Sequence, residues 1–266
     1  MKLLHSLSAM TSLPFGLILA TALLHPTADA SAQLAVDLDA AAPFAVLAGA
    51  GITIAGATTI TGDIGTFPTT SITGFENVLL NGVNHAGDAV TQAAKTHLLA
   101  AYGDAAGRLA TTTYDPIFDL GGLTLQAGVY RDPSSFGLTG TLTLDALGDA
   151  NAVWIFQAGS TLITASNSVV NLIGGAQASR VFWQVGSSAT LGTGTDFAGS
   201  ILALESITMT TGAMIDGGLY AVNGAVTLDN NSIAVVPEPG SALLLTGGLT
   251  LLAIWRRRPG QKSGQR

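Results

Sequence analysis

The chain has 266 residues, a formal net charge of −7 and no cysteine, and only 10% of its residues are charged, against roughly 25% in an ordinary globular protein. The missing cysteines exclude a disulfide scaffold, a thiolate metal site and a cysteine nucleophile. Nucleic-acid binding by charge is excluded too, because residues 31–236 hold just four basic side chains, Lys95, Arg108, Arg131 and Arg180.

The N-terminus begins with Lys2, an apolar stretch from Leu13 to Leu24, and small residues at Ala28-Asp29-Ala30. That is the plan of a secretory signal peptide. Residues 1–30 are therefore expected to engage the secretion machinery, and residues 31–236 to form one exported domain. With so few charges, its surface must be covered by threonine, serine, asparagine and glycine.

Residues 43–65 read as a first β coil, with Gly51-Ile52-Thr53-Ile54 and Thr58-Thr59-Ile60-Thr61 as alternating strands. A helix is expected over about 84–109. Val90, Ala93 or Ala94, His97, Ala101 and Ala105 lie near helical spacing, Asp88 sits near its start and Arg108 near its end. An alanine-rich helix of this kind is marginal alone and needs a face to pack on.

From Val153 to Ile233 the chain repeats. Four segments each carry an apolar strand, a short turn and a strand of Thr-apolar type, with Thr161, Thr190, Thr208 and Thr227 laid over one another. The steps are 29, 18 and 19 residues, and an excursion through Asn171 to Ser179 fills the longer one. A repeat of this length, with glycine at its corners, suits one coil of a β-solenoid, which buries its apolar face by stacking on the next coil. Alternation then turns Leu162, Leu191, Met209 and Leu228 inward. It turns Thr161, Thr190, Thr208 and Thr227 outward, together with Ile163, Gly192, Thr210 and Asp229.

After the body come Pro237, Glu238 and Pro239, an apolar run over 241–255, and Arg256, Arg257 and Arg258. As a helix the run covers roughly 22 Å, short of the bilayer's hydrocarbon core of about 30 Å. The order of these features in residues 237–266 resembles the PEP-CTERM sorting tail, which implies an exosortase-type sorting protease as a partner and delivery to the cell surface.

The body resembles a family as well. Pro43-Phe44-Ala45-Val46-Leu47-Ala48, Thr59-Ile60-Thr61-Gly62-Asp63-Ile64-Gly65, Gly128-Val129-Tyr130 and the run from Val153 to Ile233 are similar to the ice-binding domain long labelled DUF3494. The resemblance implies a mainly β fold: a discontinuous parallel β-solenoid of triangular section, with one long α-helix packed alongside and the N-terminal coil meeting the last. It also implies an ice surface as the partner, antifreeze or ice-adhesion activity, no catalysis and no cofactor. Carried over residue by residue, the ice face falls on Thr53, Thr161, Ile163, Thr190, Gly192, Thr208, Thr210, Thr227 and Asp229. Thr164-Ala165-Ser166-Asn167 matches the family's Thr-Ala/Gly-x-Thr/Asn turn and adds Thr164 and Asn167. Thr193 and Thr211 begin partial matches.

Two other classes stand against this reading. A polysaccharide-cleaving β-helix needs clustered carboxylates with a basic partner. Asp145, Asp149, Asp216 and Asp229 are instead expected to cap turns, and His85 and His97 fit no zinc spacing. A surface adhesin using the same fold on extracellular polysaccharide needs outward aromatic platforms, yet Trp154, Phe156, Phe182 and Trp183 lie in apolar strands, where at least half point inward.

Overall fold

Short runs of Val, Ile, Leu and Thr separated by glycine favour strands with tight corners. In the computed structural model, which describes residues 33–235, they form three parallel eight-stranded sheets around one core. Sheet A runs from Asp63–Thr66 through Phe44–Ala48, Leu219–Ala221, Ser200–Ala203, Val181–Val185, Trp154–Ala158 and Gly128–Asp132 to Thr112–Thr113. Sheet B runs, in the same direction, from Ile72–Thr73 through Gly51–Ala55, Ala225–Asp229, Ile207–Met209, Ala189–Leu191, Leu162–Thr164 and Phe136–Leu138 to Phe118–Asp119. Sheet C runs from Val78–Asn81 through Thr58–Thr61, Ser232–Ala234, Met214–Asp216, Asp196–Ala198, Val169–Ile173 and Thr141–Asp145 to Thr124–Leu125. Each coil thus takes one strand from each sheet, giving the triangular solenoid expected above.

The coil order is not the chain order. The N-terminal coil, residues 44–61, lies between the terminal coil of residues 63–81 and the last coil of residues 219–234. Thr53 pairs with Thr227 and Ile233 with Ile60, so the first and last coils hold one another. No local periodicity dictates this closure; it is the discontinuity that the family resemblance implies.

The corner between sheets B and C explains the glycines. Gly56, Asn230, Gly212, Gly194 and Asn167 stack there with φ of 74°, 51°, 73°, 67° and 57°. Left-handed backbone is costly for most residues but cheap for glycine and tolerable for asparagine, so only Gly and Asn fill these five positions.

Sheet A is buried on both sides because helix α1, Ala89–Gly107, covers its outer face. The helix is shorter than the predicted span of 84–109, since Asp88 is its N-cap and accepts a hydrogen bond from Thr91 N at 2.9 Å. Its buried residues are Thr91, Ala94, Leu98, Ala101 and Ala105, while Val90 and Ala93 are exposed and His97 half-buried. Ala94, Ala101 and Ala105 thus lie on the core-facing stripe as expected, and the stripe differs by one position at Val90 and His97, where Thr91 and Leu98 are buried instead. Small alanines let the helix approach Phe182, Leu202, Tyr220 and Ile155 closely. Three side chains fasten it. Lys95 Nζ donates to the carbonyls of Ala221 (2.7 Å) and Val222, Gln184 Nε2 donates to Tyr102 Oη, and Gln157 Nε2 donates to the carbonyls of Ala105 and Arg108, both at 2.8 Å. Gln157 so supplies donors to carbonyls left open at the helix end.

This docking carries a pH signature. Burial pulls the His85 imidazole toward neutrality, but its hydrogen bonds with Asp88 and Asp63 outweigh that, and its pKa is raised. A raised folded pKa gives stability that is complete below the unfolded value and is lost as pH climbs through the folded one. Burial lowers the Lys95 pKa to about 8. Above that pH the unfolded chain binds the extra proton, so stability rises until the unfolded lysine also titrates. The melting temperature is expected to fall from pH 6 toward 8 and to recover toward pH 10. His85→Gln should remove the falling limb and Lys95→Met the rising one; a profile unchanged in both variants would refute this account.

Candidate functional site

Of the three sheets, A is covered by the helix and C is uneven, with Met214, Asp216, Asn171 and Ile173 standing outward among smaller residues. Sheet B differs. Its core side is lined by two rows of aliphatic side chains, Ile52, Val226, Ile207 and Ala189, then Ile54, Leu228, Met209 and Leu191. On the outer side, strand register sets Thr73, Thr53, Thr227, Thr208 and Thr190 in one unbroken row, continued by Ile163, Gly137 and Asp119.

Adjacent strands lie roughly 4.7–4.9 Å apart, so five threonines in register repeat at that step for about 19 Å. None of the five hydroxyls has a hydrogen bond to another described residue, whereas the neighbouring hydroxyls do. Thr161 Oγ1 donates to Ser135 Oγ at 2.9 Å, Thr210 Oγ1 to the Leu191 carbonyl at 2.9 Å, and Thr193 pairs with Thr210 at 3.3 Å. Thr211 donates to the Asp229 carboxylate, and Asn230 Nδ2 to its other oxygen. The face thus has a central row of free hydroxyls and methyls, flanked by polar groups already engaged within the protein.

Sequence and structure can be compared residue by residue. Thr53, Thr190, Thr208 and Thr227 are brought together in the central row, and Ile163 extends it. Gly192, Thr210 and Asp229 lie beside it toward the B–C corner, where Thr193, Thr211 and Asn167 also sit. Two readings need correction. Thr164 does not face solvent: it is buried, pairs with Thr195 Oγ1 at 2.8 Å and accepts from Gly192 N. Its position alternates inward between Ile163 and Ala165. Thr161 is not the equivalent of Thr190; Ile163 is. The true steps along the row from Ile163 to Thr227 are 27, 18 and 19 residues. The turn register shifts with it, so Asn167 stacks over Gly194 and not over Asp196, which pairs with Val169.

Thr73 is not among the residues expected from sequence. Its signal is Ile72-Thr73-Gly74, the same apolar-threonine step as Ile52-Thr53 and Ile207-Thr208, but on a strand only two residues long. Two of the four carboxylates expected to cap turns do so, Asp145 accepting from Leu147 N and Asp149 from Asn151 N. Asp229 instead accepts from the side chains of Thr211 and Asn230, and Asp119, on a neighbouring strand, caps the amides of Gly121 and Thr139. Trp154, Phe156, Phe182 and Trp183 are all buried, so none serves as an outward sugar platform.

Known proteins are similar to this chain in sequence and fold. The chain is similar to the ice-binding protein of Nostoc sp. (strain HG1), 46% identical over an alignment of 235 residues that covers 83% of this chain and 87% of that protein. It is 36% identical to the ice-binding protein of Flavobacterium frigoris (strain PS1), over 75% of this chain and 76% of the relative. The crystal structure of the ice-binding protein from the Antarctic ascomycete Antarctomyces psychrotrophicus matches with a TM-score of 0.75 at 44% identity, covering 77% of this chain and 100% of that one. An ice-binding protein from an Antarctic biological consortium matches at 0.74 and 46% identity, covering 77% and 92%. The sequence pattern described as Ice-binding-like spans residues 46–234, from the first strand of the solenoid to the last, and the chain belongs to that family.

Proposed function

We propose that this protein binds ice through the outer face of sheet B, with Thr73, Thr53, Thr227, Thr208 and Thr190 as the central contact. The observation that carries the reading is the unbroken, in-register threonine row with free hydroxyls on adjacent parallel strands. A threonine methyl favours an ordered water cage around it, and its hydroxyl anchors that cage by hydrogen bonding. Each contact is weak, but a rigid array engages many at once, and its ordering cost is already met in the folded state. Antifreeze activity, inhibition of ice recrystallisation or adhesion to ice follows from such a face. We further propose that the protein works outside the cytoplasm, exported by residues 1–30 and held or sorted at the cell surface through residues 237–266 by an exosortase-type protease. Both segments lie outside the described residues.

The test compares faces. Thermal hysteresis is measured for Thr227→Tyr on sheet B and Asn171→Tyr on sheet C. Loss in the first and retention in the second is expected. The opposite pattern would move the ice contact to sheet C, and no hysteresis in the unmodified protein would sink the reading.

A further inference from the structure

The place where the chain leaves the solenoid bears on how a tethered molecule is oriented. Successive coils advance toward the terminal coil of residues 63–81, but the position after the last coil is already filled by residues 44–61. The chain must therefore leave at the corner between sheets C and A. Val235 N donates to the Thr61 carbonyl there, and Val235 lies so close to Gly62 that a Cβ on that glycine would meet Val235 Cγ2 at 2.7 Å. Gly82, Gly62, Val235, Gly217 and Gly199 stack as one narrow column. Near its open end stand Leu79 and Val83, 70% and 54% exposed. In a triangular section this corner lies across the core from sheet B.

The spacer is short. The apolar run starts at Ser241, six residues beyond Val235, and six residues reach at most about 20 Å when fully extended. A run shorter than the bilayer core also draws its flanks toward the lipid. Among the described residues, no helix is long and apolar enough to cross a membrane, so the tail is the segment that sets the distance. Asp63 and Asp216 flank the column, and Arg180 stands at the same corner one coil beyond Gly199.

We propose that, while the tail is in a membrane, the C–A corner faces the lipid surface and sheet B faces the water. The orientation rests on the tail's membrane role and not on ice binding. Its consequence, that a tethered molecule presents its ice face outward, rests on the function proposed above.

The full chain lacks cysteine, so single cysteines can be labelled uniquely. Asn81→Cys beside the column, Gln92→Cys on the helix and Thr208→Cys on sheet B are each labelled with a fluorophore. Each protein is then reconstituted into phosphatidylcholine vesicles carrying a lipid-attached quencher. Loss of fluorescence is expected at Asn81, with none at Thr208. Equal loss at Asn81 and Thr208, loss confined to Thr208 or Gln92, or protein that does not sediment with the vesicles would each overturn the proposal. Because no ice is present, failure here is separable from failure of the ice-binding reading.

Discussion

Replacing Thr208 with tyrosine is expected to abolish most ice activity while leaving the fold unchanged. Thr208 is the fourth of the five row threonines, with Thr227 on one side and Thr190 on the other. Its Cα partners lie one strand spacing away, about 4.8 Å, so a phenol ring stands above both neighbours. A crystal plane cannot bend around it, and the threonines on either side are lifted from contact together. Strand propensity gives no reason for unfolding, since tyrosine is at home in exposed strands. Two smaller substitutions divide the effect. Thr208→Val keeps shape and methyl but removes a hydroxyl that has no partner in the protein, so folding stability should change by about 0.5 kcal/mol or less. Thr208→Ser keeps the hydroxyl and removes the methyl. If ordered water on the methyls dominates, the valine variant retains more hysteresis than the serine variant; if hydroxyl anchoring dominates, the order reverses. Full hysteresis in Thr208→Tyr, with an unchanged circular dichroism spectrum, would remove sheet B from the mechanism.

Part of this face was legible from sequence. The 18- and 19-residue steps linking Thr190, Thr208 and Thr227 carry few insertions, so matching threonine to threonine gives the true register. The step before them fails for a physical reason. Sheet A aligns Gln157 with Gln184, and continuing that register puts Thr161 beside Ser188 and Ile163 beside Thr190. The eye pairs like with like and slips by two residues. A slip of one would turn every side chain over, but a slip of two preserves facing, so nothing in the pattern signals the error. Thr164 misled differently: the turn motif that contains it says nothing about which way its side chain alternates. Helix α1 was legible as an element and its buried stripe in part, correct at Ala101 and Ala105, open between Ala93 and Ala94, and one position off at Val90 and His97. Alanines occupy buried and exposed positions alike, and only the docked sheet tells Ala94 from Ala93.

Stability and ice contact should separate at Trp183. This side chain is 1% exposed and projects from sheet A into the solenoid core. Its ring stacks on Phe156 with centroids 4.0 Å apart and planes 10° from parallel, and it touches Phe197 at 4.9 Å. Its indole N–H donates to the Ala198 carbonyl at 3.1 Å. Trp183 and Phe197 lie in the coil that carries Thr190, the last threonine of the row, and the stack continues through Phe156 and Tyr130 to Tyr114 in the coils where the row has ended. Under the row itself the core is mostly aliphatic. Trp183→Ala leaves a large cavity, frees a carbonyl and interrupts the stack, which should cost about 3–5 kcal/mol. For a domain of this size each kcal/mol moves the melting temperature by roughly 2–4 °C, so a fall of about 6–20 °C is expected by circular dichroism. Near the freezing point the variant remains folded, and Thr73 to Thr190 keep their spacing because the aliphatic rows beneath sheet B are intact. Hysteresis per folded molecule should therefore match the unmodified protein. A melting shift below about 3 °C would mean the stack carries little of the fold's stability. Hysteresis lost in proportion to melting temperature would mean that the ice face depends on the whole solenoid's rigidity, not on the local support under its own strands.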